Sequence, residues 1–325
     1  MLLKGWYEPP RTGNLHLSTL IQQLLSLIAQ GGGLTAIDAW VLLCQSRVFS
    51  GLTQKDFTEL LYSLGEKGIL IQEKSGLLLL GPLGERIVNH FSFLAAFVVQ
   101  EEFRVTHKGR SLGTLPLSRP IKNGGYLIFA GRRWRVLSCR PDDRIIEVDP
   151  AETGKLPIFE GMGGKVDDRV RKEMQSILSR NSSFSFLDKT AAKQLEEARS
   201  AYSRLGLKHN AFYKNGIHVQ IFSWLGDWAN DALALILSVH GLAAENEGLN
   251  INVRNLQYQD VLKALKEIGR TPQPTAEQLS ARVQNKLKEK WDYLLTERLL
   301  NKVYASRELD IDTAMQFINR VNAGN

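Results

Sequence analysis

The amino-acid sequence predicts a mixed α+β fold. Helical patterns occupy the first part and the last half of the chain, and short runs rich in Val, Ile, Phe and Tyr lie between them. Apolar residues that recur every three to four positions are typical of helices, whereas short runs punctuated by Gly, Pro and Asp are typical of strands. We therefore predict three domains, over residues 1–95, 96–160 and 161–325.

The first domain contains three helical patterns followed by a hairpin pattern. The first helix is predicted from Leu17 to Ile28, before three glycines, and the second over Leu34–Leu43. Thr53 is a residue type that caps helices, and Asp56 lies in the first turn after it, which predicts the start of a third helix. The apolar runs of ILIQEKSGLLLL predict two strands around a turn at Lys74–Gly76. This order is that of a winged helix.

Strand-like runs make up the second domain. A short helix is predicted over Leu83–His90, and then come the runs EEFRVTHKGRSLGTLP, GGYLIFAGRRWRVLSC and DRIIEVDPAETGKLP. Short strands at regular spacing predict a small antiparallel β-barrel, or a strongly bent sheet, between Val98 and Pro157.

The third domain is predicted to be mainly helical and to pack with the barrel. It follows a glycine-rich turn at Glu160–Gly164 and includes two strands, in HVQIFSW and GLNINVRNL. After Gln259, helices are predicted in DVLKALKEIG, in DIDTAMQFINRVN and, as one long helix, in AEQLSARVQNKLKEKWDYLL. Glycine in WLGDW predicts a close approach of two backbone segments, and the tryptophans Trp224, Trp228 and Trp291 are predicted to lock elements together in the core.

Composition and motifs exclude several classes of protein. The longest apolar run, Phe91–Val99, is about half as long as a membrane-spanning helix and is predicted to be a core segment. No signal peptide precedes it, and Cys44 and Cys139 stand far apart without metal-ligand spacing, so a cytoplasmic protein without a metal site is expected. The chain has no phosphate-binding loop, no HExxH and no GxGxxG motif. We therefore expect no catalytic residue and no cofactor in this chain.

A net charge of +7 and a pI near 9.3 favour an acidic partner such as nucleic acid. The basic residues recur on neighbouring strand-like runs, and the candidate nucleic-acid-binding residues there are Arg104, Lys108, Arg110, Arg132, Arg133, Trp134 and Arg135. Strand alternation places Arg133 and Arg135 on one face, and Arg132 and Trp134 on the other. The arginines either hold phosphates or are solvated and paired with carboxylates, and Trp134 either stacks on bases or fills the core.

A second candidate cluster, Arg169, Arg171 and Lys172, follows the glycine-rich turn. Carboxylates share the same helical stretch, so the alternative is an exposed helix linked by ion pairs. The third helix of the first domain offers only Lys55 beside Asp56 and Glu59, which argues against sequence-specific readout of a duplex. That helix suits a structural or protein-docking function instead.

Several sequence segments, taken in their order along the chain, resemble the non-motor part of the large helicase-related (Lhr) family of superfamily-two helicases. They are WYEPP, IQQLLSLIAQ, LGPLGERIVNHFSF, EEFRVTHKGRSLGTLP, LIFAGRRWRVLSC, IIEVDPA, LPIFEGMGG, FSWLGDWANDALALILSVHGL and KEKWDYLLTERLLNKVYASRELD. The resemblance covers essentially the whole chain.

The resemblance implies an accessory region that clamps nucleic acid for a motor. The RecA-like motor domains, which bind ATP and Mg²⁺ and move 3′ to 5′ on single-stranded DNA, are absent from this chain and would act with it in cis or in trans. The expected partners are these domains and single-stranded or tailed DNA, and no membrane. The wing here has no aromatic residue, so the base-stacking function seen in some relatives does not transfer.

Two other hypotheses remain open from the sequence. A winged-helix and barrel assembly also occurs in DNA glycosylases, and Gln22, Gln23 or Asp38 would be the candidates for such an activity. A module that docks a separate motor subunit is the other alternative.

Overall fold

The computed structural model describes the whole chain except residues 2, 4, 13, 46–47, 50, 97–100, 118–123, 125, 131, 141–142, 152–163, 284–285 and 324–325. The described residues form two units. The first combines Met1–Leu94 with Lys165–Asn325, and the second is Ala95–Gly164. Helices and three β-sheets are both present, so the predicted α+β class is confirmed, and no sheet is closed into a barrel by the described strands.

The first segment of unit 1 contains the three predicted helices and the hairpin in the predicted order, with one further short strand, β1, that was not predicted. Its elements are α1 (Leu17–Gly31), β1 (Leu34–Thr35), α2 (Ala36–Cys44), α3 (Gln54–Glu66), β2 (Leu70–Gln72), β3 (Leu77–Leu80) and α4 (Pro82–Asn89). Gly32 ends α1 in the left-handed conformation, with φ of 68°. Thr53 and Asp56 start α3 with a reciprocal capping box, as the sequence predicted.

The three strands of this segment form one sheet, in the order β1-β3-β2. The second helix therefore starts two residues later than predicted, because Leu34 and Thr35 pair with β3. The hairpin turn at Lys74–Gly76 is confirmed.

Unit 2 is built on a single five-stranded sheet. Its strands are β4 (Glu101–His107), β5 (Arg110–Leu117), β6 (Tyr126–Phe129), β7 (Arg132–Arg140) and β8 (Ile145–Pro150), in the order β5-β4-β8-β7-β6. The prediction of a wholly antiparallel sheet is wrong at one pair, because β8 runs parallel to β4. Both of these central strands carry fully buried residues, including Val105 and Ile146, and pairing them joins two hairpins over one core.

The sheet of unit 2 is bent so that its two edge strands approach each other. A Cβ atom added to Gly113 on β5 would lie 2.9 Å from the ring of Phe129 on β6. The concave face encloses a small apolar core of Phe103, Val105, Leu127, Trp134, Val136, Ile146 and Val148. Val98, Pro157 and the predicted turn at residues 160–163 lie outside the described residues.

The second segment of unit 1 contains seven helices and four strands among its described residues. They are α5 (Asp168–Ser179), α6 (Lys189–Arg204), β9 (Phe212–Asn215), β10 (His218–Ile221), α7 (Asp227–Val239), β11 (Ala243–Asn246), β12 (Ile251–Arg254), α8 (Tyr258–Arg270), α9 (Ala276–Ser280), α10 (Glu297–Glu308) and α11 (Ile311–Ala323). The strands form an antiparallel sheet in the order β11-β12-β10-β9.

The long helix predicted from Ala276 is wrong beyond Ser280. A short 3₁₀ turn, Asp292–Leu294, is the next regular element, and it precedes α10, which the sequence analysis did not predict. Trp291 donates its backbone N–H to Ser18 Oγ at 2.9 Å and lies in the core of the first segment. These buried contacts outweigh the helical propensity of the stretch.

The apolar run that begins at Phe91 is only partly a core segment. Phe93 is buried in the 3₁₀ turn Phe91–Leu94, but Phe91 and Leu94 expose 81% and 91% of their surface, which corrects the prediction for these two residues. Among the described helices, none has the length and apolar character that crossing a bilayer requires.

Candidate nucleic-acid interface

Trp134 lies in the core of unit 2. Its side chain is 7% exposed, and its Nε1 donates to the carbonyl oxygen of Phe129 at 3.1 Å. The ring of His107 lies 5.5 Å from it. The structure therefore supports the core interpretation of Trp134, and a ring buried in this way has no open face on which a base could stack.

Arg133 and Arg135 lie on the convex face of the sheet, opposite Trp134. Strand alternation along β7 accounts for this, because Trp134 and Val136 are buried while Arg135 is exposed. Arg133 is half-buried and has interactions of its own. The predicted division of these residues between two faces is confirmed.

The convex face brings together arginines from separate strands. Arg104 on β4 pairs in register with Ile145 on β8, and Ile145 pairs with Arg140 on β7. Arg104 and Arg140 are thus two strands apart, about 10 Å between their backbones. Arg144 is tied to the same corner, because its carbonyl oxygen accepts a hydrogen bond from the Arg104 backbone N–H at 2.7 Å.

Carboxylates share the convex face with these arginines. Asp149 on β8 lies opposite Arg135 in register, and Glu147, two residues earlier on β8, lies opposite Ser138. Arg140 forms an exposed ion pair with Asp143 at 3.4 Å. Exposed pairs of this kind contribute little to stability, but they lower the net positive charge of the face.

A second group of basic residues lies toward one end of the sheet. Strand β4 runs toward the end of the sheet at which β7 begins, because β4 is parallel to β8 and β8 is antiparallel to β7. Lys108 and Arg110, at the β4–β5 turn, and Arg132, at the start of β7, therefore lie toward the same end of the sheet. All three residues are exposed, and none of the ion pairs among the described residues involves them. We call these three residues the hairpin-end cluster.

The residues of the second predicted cluster lie in unit 1, and their side chains contact other residues of that unit. Arg171 is 12% exposed and donates to Asp227 Oδ1 at 3.0 Å. Lys172 pairs with Asp168 one turn away, and Arg169 lies over the ring of Trp6 at 4.9 Å. The structure favours the alternative of an ion-paired helix, and for Arg171 it removes the exposure that phosphate binding requires.

The carboxylates of helix α3 accept hydrogen bonds from other residues of unit 1. Asp56 accepts hydrogen bonds from Lys302 and Arg298 on α10, and Glu59 accepts from Arg298 and from Thr296. Burial opposes ionisation of both acids, but these hydrogen bonds outweigh it and lower the pKa of each carboxyl. The third helix of the predicted winged helix does dock on protein, and that protein is the C-terminal segment of the same unit.

The residues considered for glycosylase activity do not form a catalytic pair. Gln22 is buried and its Oε1 accepts from Trp291 Nε1 at 2.7 Å. Asp38 accepts from the Thr35 hydroxyl at 2.6 Å, in the cap of α2. Gln23, the next residue of α1, is exposed.

Sequence reasoning missed the acidic residues Glu147 and Asp149 and the aromatic Tyr126 as members of this surface. Tyr126 pairs in register with Arg135. The period of two in IIEVDP already separates Glu147 and Asp149 from the buried Ile146 and Val148. That signal predicts the face of the two acids, whereas their arginine neighbours follow only from the register.

Comparison with known proteins found no match to this chain among protein-family models, curated proteins or solved structures. Within the described part of the chain, no group of three or more His, Cys, Asp or Glu side chains is placed to hold a metal ion.

Proposed function

We propose that this chain is the non-motor, nucleic-acid-clamping part of an Lhr-like ATP-dependent 3′ to 5′ DNA helicase. In this proposal unit 2 holds the backbone of a single strand, while RecA-like motor domains, in cis or in trans, bind ATP and Mg²⁺. The observation that carries the proposal is the hairpin-end cluster, because Lys108, Arg110 and Arg132 lie toward one end of the sheet and all three are exposed. No catalytic residue is assigned to the chain.

The topology of both units supports the finer parts of the proposal. Helices α1 to α3 with a sheet in the order β1-β3-β2 suit a winged helix, and the bent sheet of unit 2 suits a partly open barrel. Small barrels of this kind bind single strands along a basic groove.

The proposed contacts fix the position of the strand without reading its sequence. Lys and Arg side chains on a rigid sheet neutralise phosphates and release the counterions that surround them. From Arg132 to Arg140 strand β7 spans eight residue steps, which is about 26 Å at the rise of a β-strand. A single strand of that length would extend from the hairpin-end cluster at one end of the sheet to Arg104 and Arg140 at the other.

The test is a titration of labelled single-stranded DNA, followed by fluorescence anisotropy at several salt concentrations. The variant carries Lys108→Gln, Arg110→Gln and Arg132→Gln. A matched control carries Lys263→Gln, Lys266→Gln and Arg270→Gln, three exposed cations of α8. Both variants lose the same charge, so any difference between them reports position rather than net charge.

We expect the hairpin-end variant to bind more weakly and with a shallower dependence on salt. Three lost phosphate contacts lower the slope of log K against log salt by about two units on a single strand. The α8 control should keep the slope of the unmodified chain. Equal slopes for all three proteins, or an equal loss in both variants, would remove the hairpin-end cluster from the interface.

A further inference from the structure

Unit 1 contains an apolar groove of about 600 Å³ between α4 and the segment around Trp291. Its floor is aliphatic, and it is formed by Ile69, Ile87 and Leu294. Leu83 and Tyr293 form its edges and remain 45% and 53% exposed. Water-exposed apolar side chains gathered in a concavity favour an apolar ligand, because covering them removes that surface from water.

The rim of the groove is positive. Lys67 and Arg86 carry fixed charges, and the described residues that line the groove include no Asp or Glu. His90 lies one helical turn beyond Arg86, and its Nδ1 accepts a hydrogen bond from the backbone N–H of Ser92 at 3.2 Å. That bond leaves the ring proton on Nε2, so the rim gains another donor.

We propose that this groove binds an acidic amphipathic helix of another protein. Apolar side chains of such a helix would enter between Leu83 and Tyr293, in the helix-in-groove mode. Arg86 and His90 are spaced by one turn, which matches two carboxylates at positions i and i+4 of a helix laid alongside α4. The proposal does not rest on the nucleic-acid function of unit 2.

The groove suits a peptide better than a nucleic-acid base. Trp291 is 5% exposed, and its Nε1 already donates to Gln22, so its ring gives no open stacking face. The hydroxyl of Ser92 lies 2.7 Å from His90 Nδ1 and is therefore already engaged in a hydrogen bond within the groove.

The test uses the full chain and a labelled 18-residue helical peptide. The peptide carries Leu at positions i, i+4 and i+7 on one face and Glu beside them, and a second peptide has Lys in place of Glu. The chain is compared with its Arg86→Glu and Leu83→Ala variants. Lys266→Glu on α8 is the matched control for the charge change. A labelled dT20 strand is titrated in parallel.

We expect the acidic peptide to bind and the lysine peptide not to bind. Arg86→Glu should weaken binding of the acidic peptide about tenfold, and Leu83→Ala about fivefold, while Lys266→Glu leaves it unchanged. The proposal is overturned if the acidic peptide does not bind, or if both groove variants bind it as the unmodified chain does. It is also overturned if Arg86→Glu weakens binding of dT20 but not of the peptide, since the groove would then hold nucleic acid.

Discussion

Asp56 shows how one residue joins the two segments of unit 1. Its side chain is 3% exposed and accepts hydrogen bonds from Arg298 at 2.6 Å, from Lys302 at 2.5 Å and from the Thr53 hydroxyl at 2.7 Å. Burial disfavours the charged form, but the bonds from Lys302, Thr53 and Arg298 together lower the pKa of the carboxyl well below its ordinary value near 3.8.

Replacing Asp56 tests this link. Asp56→Asn removes the charge and leaves Arg298 and Lys302 without their carboxylate, so we expect the free energy of unfolding at pH 7 to fall by about 2–3 kcal/mol. A group whose pKa is lower in the folded state stabilises the fold above its unfolded pKa and loses that effect as the pH falls. The difference between the two proteins should therefore shrink below about pH 4, measured by urea unfolding at pH 7, 5 and 3.

Asp38 provides the control for this prediction. It occupies the same position relative to Thr35 in the cap of α2 as Asp56 does relative to Thr53 in α3, but it is exposed. Asp38→Asn should cost only about 0.5–1 kcal/mol. An Asp56→Asn variant no less stable than Asp38→Asn would show that the bonds to α10 contribute nothing net.

Among the helices, α5 and α7 are joined at their N-terminal ends. Val166 N donates to Asp227 Oδ2 at 2.8 Å, and Asp227 N donates back to the Val166 carbonyl at 2.9 Å. Gly226, the residue before α7, donates its N–H to Asp168 Oδ1. A Cβ on Gly226 would lie 2.6 Å from the backbone of Val166 and of Asp168. The glycine is required for this close approach, as the WLGDW phrase predicted.

Gly226→Ala should therefore destabilise unit 1, although the backbone of Gly226 has an ordinary φ of −70°. The added methyl group overpacks the contact, and we expect a loss of about 1–3 kcal/mol in the free energy of unfolding. Gly65 of α3 is the matched control, because nothing lies within 4 Å of its added Cβ. Gly65→Ala should stabilise the chain by about 0.5–1 kcal/mol. Two alanine variants of equal stability would contradict the proposed crowding.

Elements determined by neighbours in sequence were predictable, and those determined by distant contacts were not. The capping box at Thr53 and the turn at Lys74–Gly76 depend on residues three or four positions apart. The stretch after Ser280 has helical composition, but Lys286 is buried against Glu297 and Asn301. A local pattern carries no information about such partners.

The same distinction between local patterns and distant contacts applies to the candidate interface. Alternation along β7 correctly separated Arg133 and Arg135 from Trp134, because the faces of a strand follow from the strand alone. The parallel pairing of β4 with β8 brings together Arg104 and Arg140, and it depends on residues about forty positions apart. The sequence therefore predicted which residues are basic and which face they occupy, but not which of them are neighbours.

At the level of the whole molecule, the first 94 residues do not form a complete hydrophobic core by themselves. Trp291, Leu294 and Leu299 are buried in the same cluster as α1 and α3. We expect a fragment of residues 1–94 to lack a cooperative urea transition, because this apolar surface would face water. Addition of residues 165–325 by co-expression should restore a single transition, followed by near-ultraviolet circular dichroism. A sharp transition of the isolated fragment would contradict this dependence.

The discontinuous make-up of unit 1 also affects how the chain folds during synthesis. Asp56 leaves the ribosome 242 residues before Arg298, the partner on α10 that completes its ion pair. At a synthesis rate of roughly 5–20 residues per second, Arg298 emerges roughly 12–48 seconds after Asp56. Unit 2 is contiguous in sequence and is finished during that interval. We therefore expect the middle of this polypeptide to mature before its beginning, while the apolar side of the first helices depends on chaperones for protection.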